Sequence, residues 1–160
     1  MTTIAVTGHM DLTTETVALV RAELRALLGQ YAPADLVGVS CIAAGSDSLF
    51  AEAVLDAGGQ LVVVVPGRDY RERKVKPDEA ELYDRLVTAA AEVHTVPIDR
   101  ASREAYEAAG AELLRRADRM VAIWDGQPSN GRGGTAHTVD QARAAGVPVD
   151  VVWPDGAARR

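Results

Sequence analysis

The feature that most constrains the fold of this chain is a regular alternation of short apolar runs with segments of helical periodicity. The apolar runs predict β-strands at residues 3–7, 36–41, 60–65, 93–97, 119–124 and 148–153. The segments between them predict helices at 13–28, 47–58, 78–91, 102–116 and 135–145. Strands that are apolar along their whole length are buried on both faces, which is typical of a parallel sheet covered by helices.

Length and composition indicate one domain with a core of its own. The chain has 160 residues, of which 48% are hydrophobic, and this is enough to bury a core without disulfides or metal. Cys41 is the only cysteine, which excludes a disulfide or a multi-cysteine metal site within one chain. We predict a single domain over residues 1–154, a polar tail at 155–160 and no metal site.

The sequence shows neither a membrane span nor an export signal. The longest apolar run, residues 61–66, is far too short to cross a bilayer, and no basic region with a long apolar segment stands at the start. We therefore expect a cytoplasmic protein with no membrane contact. The formal net charge of −6 opposes broad contact with phosphate backbones, so we expect nucleic acid to be disfavoured as a partner.

A glycine-dense loop, DGQPSNGRGGTA at residues 125–136, follows the fifth predicted strand and precedes a helix. Glycines let backbone N–H groups approach an anion without interference from a Cβ, and the first turn of a helix attracts negative charge. Thr135 stands where a residue would cap that helix. The loop predicts a phosphate cradle that includes Asp125, Gly126, Gly133, Gly134 and Thr135. An ordinary strand-to-helix connection is the alternative.

Two further predicted strands end in glycine loops. Gly8 and His9 follow the first strand, and Gly45, Ser46 and Asp47 follow the second. Ligands of open α/β sheets bind at the carboxyl ends of the strands, so the three loops together predict one ligand site. Ser46 and Asp47 offer a hydroxyl and a carboxylate beside helix N–H groups, and helix capping is the alternative role for both.

Side chains beside these loops are candidates for chemistry. His9 can donate to a phosphate or act as an acid or base near neutral pH, and ordering of its loop is the alternative. Asp125 can accept hydrogen bonds from ribose hydroxyls or brace the glycine loop. Asp11 is interpreted as the cap of the first helix, and support of His9 or contact with a ribose hydroxyl are the alternatives. His9 and Asp125 are the candidates for a catalytic residue. The sequence does not assign a step of a reaction to either.

Three motifs, taken in order, carry a family resemblance. They are Thr-Gly-His-x-Asp-Leu at residues 7–12, Ala-Gly-Ser-Asp at 44–47, and Asp-Gly at 125–126 followed by Gly-Gly-Thr-Ala at 133–136. Through them the chain resembles the SLOG superfamily of Rossmann-like domains, which includes nucleotide-sensing modules, Lonely Guy phosphoribohydrolases and DprA proteins. It is also similar in plan to nucleoside 2-deoxyribosyltransferases.

The resemblance spans almost the whole chain and implies a fold. That fold is a three-layer α/β/α sandwich, with a mostly parallel sheet of about six strands in the order 4-3-2-1-5-6. The winding of such a sheet reverses between strands one and five, which places the ligand site at that junction. The resemblance also suggests a homo-oligomer, with a dimer favoured.

The loops and the resemblance together predict a domain that binds a nucleotide or nucleotide-derived ligand. We expect a sensor or accessory domain that takes a nucleoside phosphate or an ADP-ribose-like molecule and requires no other cofactor. The alternative is a Lonely Guy-type enzyme that hydrolyses the N-glycosidic bond of a nucleoside monophosphate. In those relatives a glutamate follows the Gly-Thr pair by three residues, whereas this chain has Thr138 there. A hydroxyl cannot replace that carboxylate without an activating base, so enzymatic activity is left open.

Overall fold

The computed structural model describes residues 1–129 and 134–160, which form six strands and six α-helices. The strands are β1 (Thr2–Gly8), β2 (Leu36–Ser40), β3 (Gln60–Val65), β4 (Glu92–Thr95), β5 (Arg119–Ile123) and β6 (Val149–Val152). The helices are α1 (Thr14–Leu28), α2 (Ser46–Asp56), α3 (Tyr70–Lys74), α4 (Ala80–Ala89), α5 (Arg103–Arg116) and α6 (Thr135–Ala144). Every predicted element is present within a few residues, and the short α3 and a 3₁₀ helix at Pro33–Asp35 were not predicted.

The six strands form one parallel sheet in the order β4-β3-β2-β1-β5-β6. This confirms the predicted fold and strand order. β1 pairs with β2 on one side and with β5 on the other, where Gly8 stands opposite Ile123. The chain winds outward from β1 to β4 and then returns to the far side of β1. The junction of β1 and β5 is therefore the topological switch point.

Helices cover both faces of the sheet, as the residues of β1 show. Ile4 and Val6 belong to an apolar cluster with Phe50 of α2, whereas Ala5 belongs to a second cluster with Ala109 of α5. Successive residues of a strand point to opposite faces, so the two clusters lie on either side of the sheet. Within the described residues, no helix has both the length and the apolar character needed to cross a membrane.

Two helices begin differently from what the sequence predicted. Thr13, not Asp11, caps α1, because its hydroxyl stands directly before the helix and accepts a hydrogen bond from the Thr16 N–H at 3.2 Å. Gly134, not Thr135, is the N-cap of α6, since Gly134 has extended backbone and Thr135 already belongs to the helix. Gly134 has no side chain with which to cap the first turn.

The last residues of the chain lie against the loop between β1 and α1. Arg159 forms an antiparallel bridge with Leu12. The buried hydroxyl of Thr16 accepts a hydrogen bond from the Ala158 N–H at 2.8 Å and donates one to the Ala158 carbonyl at 3.0 Å. The polar segment at 155–160 is thereby brought to the carboxyl end of β1.

Candidate functional site

The carboxyl ends of β1 and β5 lie side by side and carry the first group of candidate residues. The His9 N–H donates to the Ile123 carbonyl at 3.1 Å, which fixes the β1 loop to the end of β5. The imidazole of His9 is buried, and its Nε2 lies 3.2 Å from both Oδ1 and the backbone N of Asp125. The structure therefore brings Gly8, His9 and Asp125 together at the switch point.

Asp125 continues into a short chain of charged groups. Its Oδ1 accepts a hydrogen bond from the Gln127 N–H at 3.0 Å, and its Oδ2 lies 4.0 Å from Nη1 of Arg159. Arg159 Nε donates to both carboxylate oxygens of Asp11, at 2.9 and 3.1 Å. Burial opposes ionisation of both acids, but the Gln127 N–H and His9 hold the pKa of Asp125 below its ordinary value. Arg159 does the same for the pKa of Asp11. Both groups are carboxylates at neutral pH.

Arg159 is the residue of this site that sequence reasoning missed. It lies 148 positions from Asp11, in a segment that carries no recognisable motif. The end of the chain supplies one more contact, since the indole of Trp153 meets the His9 ring edge to face at a centroid distance of 5.7 Å. The contacts of Trp153 and Arg159 both depend on where β6 ends. The sequence near His9 and Asp11 does not indicate that position.

The loop between β2 and α2 supports the loop after β1. The Ser46 N–H and hydroxyl both donate to the His9 carbonyl, at 3.3 and 2.7 Å. A Cβ on Gly45, whose φ is +80°, would lie 2.7 Å from the Met10 carbonyl oxygen, and a Cβ on Gly8 would lie 2.5 Å from Ser46 Cβ. Gly8, Gly45 and Ser46 therefore join the two loops. The Ser46 hydroxyl already donates its proton to the His9 carbonyl, so it has none to donate to a ligand.

Asp47 lies half-buried in the first turn of α2. One of its oxygens accepts a hydrogen bond from the Ala43 N–H at 3.4 Å. Burial raises the pKa of Asp47 to about 7, although the Ala43 N–H favours the ionised form. Burial and Asp47 together raise the pKa of the nearby Cys41 thiol, which stays protonated. Asp47 is thus a carboxyl group able to exchange a proton near neutral pH, a property expected of acid–base residues.

The first turn of α6 differs from those of the other long helices. An acidic residue stands in the first turn of α1, α2, α4 and α5, namely Glu15, Asp47, Glu81 and Glu104. The first turn of α6 contains none, and Gly134 supplies no side-chain cap. Within the part of the chain that the structure describes, the first turn of α6 has no acidic side chain. The partial positive charge at the start of this helix is therefore not offset by a residue of that turn.

The β5–α6 loop contains three glycines of the predicted cradle, namely Gly126, Gly133 and Gly134. Gly126 has a φ of +80°, and a Cβ there would meet no atom of the described residues within 4 Å, so among those residues glycine is required for backbone conformation and not for space. A Cβ on Gly134 would lie 2.4 Å from Ser129 Cβ. Gly133, which was predicted to belong to the cradle, lies outside the described residues.

A groove of about 910 Å³ opens between the N-terminal parts of α5 and α6. The described residues that line it are Arg103, Tyr106, Glu107, Gly110, His137, Thr138 and Gln141. Thr138, at the position of the relatives' glutamate, faces this groove, and its hydroxyl lies 3.5 Å from the Gly134 carbonyl oxygen. Among these residues the carboxylate is that of Glu107, whose Oε1 lies 3.6 Å from Nε of Arg103.

Fold and switch point together define a Rossmann-like α/β domain. No family model and no curated protein matches the chain. Several solved structures match the chain. DNA processing protein A (DprA) from Streptococcus pneumoniae is 18% identical with a TM-score of 0.69, and the match covers 98% of this chain and 52% of that one. DprA from Helicobacter pylori is 13% identical with a TM-score of 0.70, over 99% of this chain and 68% of that one.

A third match is the Moco carrier protein from Chlamydomonas reinhardtii. It is 17% identical with a TM-score of 0.56, over 94% of this chain and 75% of that one. These likenesses show a shared fold. This chain spans about half the length of the S. pneumoniae protein.

One expectation is corrected by these comparisons. Nucleic acid was expected to be disfavoured as a partner, yet the H. pylori protein of this fold is described by its single-stranded DNA binding mode. The expectation was wrong because it rested on net charge. Net charge sums the whole surface, whereas a strand of nucleic acid contacts one groove of it.

Proposed function

We propose that this chain binds a nucleotide or nucleotide-derived ligand at the switch point, as a sensor or accessory domain. The observation that carries the proposal is the start of α6. In the described part of the chain, no side chain caps its N–H groups and no acid stands in its first turn. Free N–H groups and partial positive charge at a helix start are the usual receptor for a phosphate.

The groups around α6 suit different parts of such a ligand. Ionised Asp125 at the end of β5 can accept hydrogen bonds from sugar hydroxyls. The groove between α5 and α6, at about 910 Å³, has room for a base. Tyr106 lines this groove and is 44% exposed, so its ring is available to a planar base.

Thermal unfolding in the presence of nucleotides tests the proposal. The panel comprises nucleoside mono-, di- and triphosphates, cyclic nucleotides, dinucleotides and ADP-ribose. A compound at about 100 times its Kd adds about 2.7 kcal/mol to the stability, which is about 5 to 10 °C in Tm for a domain of this size. A selective shift supports the proposal, and the absence of any shift across the panel contradicts it.

Thr135→Asp tests whether the phosphate lies at α6. A carboxylate in the first turn stabilises a helix by about 0.3 to 1 kcal/mol, so the fold is retained while a phosphate is repelled. Thr135→Asn has nearly the same shape without the charge and is the matched control. Substitution of Gly134 is less suitable, because its Cβ would collide with Ser129.

We expect Thr135→Asp to weaken a bound nucleoside monophosphate about tenfold or more relative to Thr135→Asn. The unphosphorylated nucleoside should be affected much less. Equal affinities of the two variants for the monophosphate, measured by titration calorimetry, would place the phosphate elsewhere.

Single-stranded nucleic acid is a second candidate ligand. The observation in its favour is the fold shared with the H. pylori protein over 99% of this chain. Fluorescence anisotropy of a labelled oligonucleotide, at about 50 and about 200 mM salt, measures it. Binding that weakens steeply with salt supports this function, and no binding at the lower salt excludes it.

Hydrolysis of an N-glycosidic bond is the alternative activity at the same site. The observation in its favour is that Glu107 lines the groove that Thr138 faces, which puts a carboxylate near the position of the relatives' glutamate. Release of free base from nucleoside monophosphates, followed by chromatography, tests it. Product in proportion to the protein, lost in Glu107→Gln or Asp125→Asn, would show an enzyme. A stable complex without product supports the sensor.

A further inference from the structure

The C-terminal segment fixes the position of one cation at the switch point. The Thr13 N–H donates to the Ala158 carbonyl at 3.2 Å, and the Arg160 N–H donates to the Asp11 carbonyl at 2.7 Å. Arg159 stands between these two hydrogen bonds. Its backbone is therefore held from both sides, and its side chain extends from a fixed point.

The guanidinium of Arg159 uses only one of its edges. Nε donates to both oxygens of Asp11, whereas Nη1 lies 4.0 Å from Asp125 Oδ2, too far for a hydrogen bond. Among the described residues, neither Nη atom donates a hydrogen bond and Asp125 Oδ2 accepts none. The two side chains are 45% and 20% exposed, so an open donor and an open acceptor face each other within reach of a ligand.

We propose that Arg159 and Asp125 together bind the vicinal 2′- and 3′-hydroxyls of a ribose, so that the site selects ribonucleotides over 2′-deoxyribonucleotides. This inference rests on the proposed function and names the sugar that the site takes. One hydroxyl donates to Asp125 Oδ2, and the neighbouring hydroxyl accepts from an Nη of Arg159.

The charge of this cluster favours hydroxyls over phosphate. Asp11 and Asp125 are two carboxylates around the single cation Arg159, so the three groups carry a net negative charge. A phosphate would be repelled there, whereas a neutral hydroxyl acts as donor and acceptor at once. The phosphate of the same ligand has its receptor at the start of α6.

The fixed orientation of the Asp125 carboxylate makes recognition of the two ribose hydroxyls selective. The Gln127 N–H donates to Asp125 Oδ1 at 3.0 Å and the Asp125 N–H donates to His9 Nε2 at 3.2 Å, which fixes the direction of Oδ2. A 2′-deoxy sugar leaves one of the two protein groups without a partner once the ligand has displaced water. Sites that hydrogen-bond a hydroxyl reject analogues lacking it far more strongly than apolar pockets do.

The test compares ribo and 2′-deoxy forms of the same nucleotide. AMP, GMP, CMP and UMP and their 2′-deoxy counterparts are titrated by calorimetry into the wild type, Arg159→Gln, Arg159→Lys and the control Arg160→Gln. We expect the wild type to bind a ribo form about tenfold or more tighter than its deoxy counterpart. Arg159→Gln should weaken the ribo form to the level of the deoxy form, and Arg160→Gln should leave the ratio unchanged.

Arg159→Lys separates recognition from structure. Lysine keeps a positive charge beside Asp11 but lacks the forked donors, so we expect the ribo-to-deoxy ratio to fall while the Tm is retained. Equal affinities of the wild type for both forms, or a ratio preserved in Arg159→Gln, would overturn this inference and leave the proposed function standing. If no nucleotide binds, the proposed function fails and this inference fails with it.

Discussion

Gly8 and Gly45 show how a single residue type can be required for a reason other than a ligand. Both were predicted from their place after strands, as parts of an anion site. In the structure each allows another part of the chain to approach closely, Ser46 in one case and the Met10 backbone in the other. The glycine signal correctly marked the loops, but packing between the loops is the physical cause that the structure gives.

Gly45→Ala and Gly126→Ala are a matched pair of variants that separate close packing from backbone strain. Both positions have a φ of +80°, but within the part of the chain that the structure describes only a Cβ at Gly45 would meet backbone atoms, with 2.7 Å to the Met10 oxygen. We expect Gly126→Ala to cost about 1 to 2 kcal/mol from backbone strain alone, and Gly45→Ala about 3 kcal/mol or more. Urea unfolding measures both, and equal losses would refute the close approach.

Asp47 makes the stability of the folded chain depend on pH. Burial raises its pKa from 3.8 to about 7, so between these values the folded chain holds a proton that the unfolded chain releases. This contribution to stability therefore falls as the pH rises through that window and stays low above it. The raised pKa corresponds to about 4 kcal/mol as an upper limit.

Asp47→Asn removes the ionisable group and keeps an oxygen for the Ala43 N–H. We expect the variant to exceed the wild type in stability by about 1 to 3 kcal/mol at pH 8, and to equal it at pH 4. Urea unfolding across this range provides the measurement. Asp56→Asn, at the exposed end of the same helix, is the control and should change stability by less than about 0.5 kcal/mol. A loss of stability in Asp47→Asn at pH 8 would contradict the prediction.

At the scale of elements, helix periodicity was the more reliable signal and helix capping the less reliable one. Ser102, the first residue of the helix predicted at 102–116, caps α5, and its hydroxyl accepts from the Ala105 N–H at 3.2 Å. Asp11 was an equally good cap by residue type, but Arg159 engages its carboxylate. A cap residue has more than one partner available, and tertiary contacts decide among them.

Thr16→Val tests how the C-terminal segment is attached to α1. Valine has the shape of threonine but leaves the backbone groups of Ala158 without the Thr16 hydroxyl, which costs about 1 to 3 kcal/mol. We expect this loss of stability together with faster hydrogen exchange over residues 155–160. Thr14→Val, an exposed position in the same turn, is the control. Unchanged exchange in Thr16→Val would show that other contacts suffice to hold the segment.

At the scale of the whole molecule, the parallel sheet determines where the site lies. Its order places the ends of β1 and β5 together, and every loop of the candidate site follows from that arrangement. Net charge, by contrast, proved a poor guide to partners of this fold. The homodimer suggested by the resemblance stays a prediction, which sedimentation of the full chain would measure.

Hydrogen exchange should follow the position of each strand in the sheet. β1, β2, β3 and β5 are paired on both sides, whereas β4 is an edge strand whose residues are largely exposed. We expect amides of the four inner strands to exchange slowest and those of β4 fastest among the strands, because edge strands open locally at lower free energy. Protection of β4 equal to that of β1 would indicate that another chain covers this edge.

The sequence by itself determined the elements of this protein, because burial on both faces makes a strand apolar throughout and burial on one face gives a helix its period. With the resemblance, the order of glycine loops also gave the strand order and the edge on which the site lies. Only the tertiary structure decided which side chains meet there. Arg159 reaches Asp11 and Asp125 from the far end of the chain, and burial alone raises the pKa of Asp47. Contacts between distant residues and loss of solvent depend on the packed fold, and no local pattern encodes them.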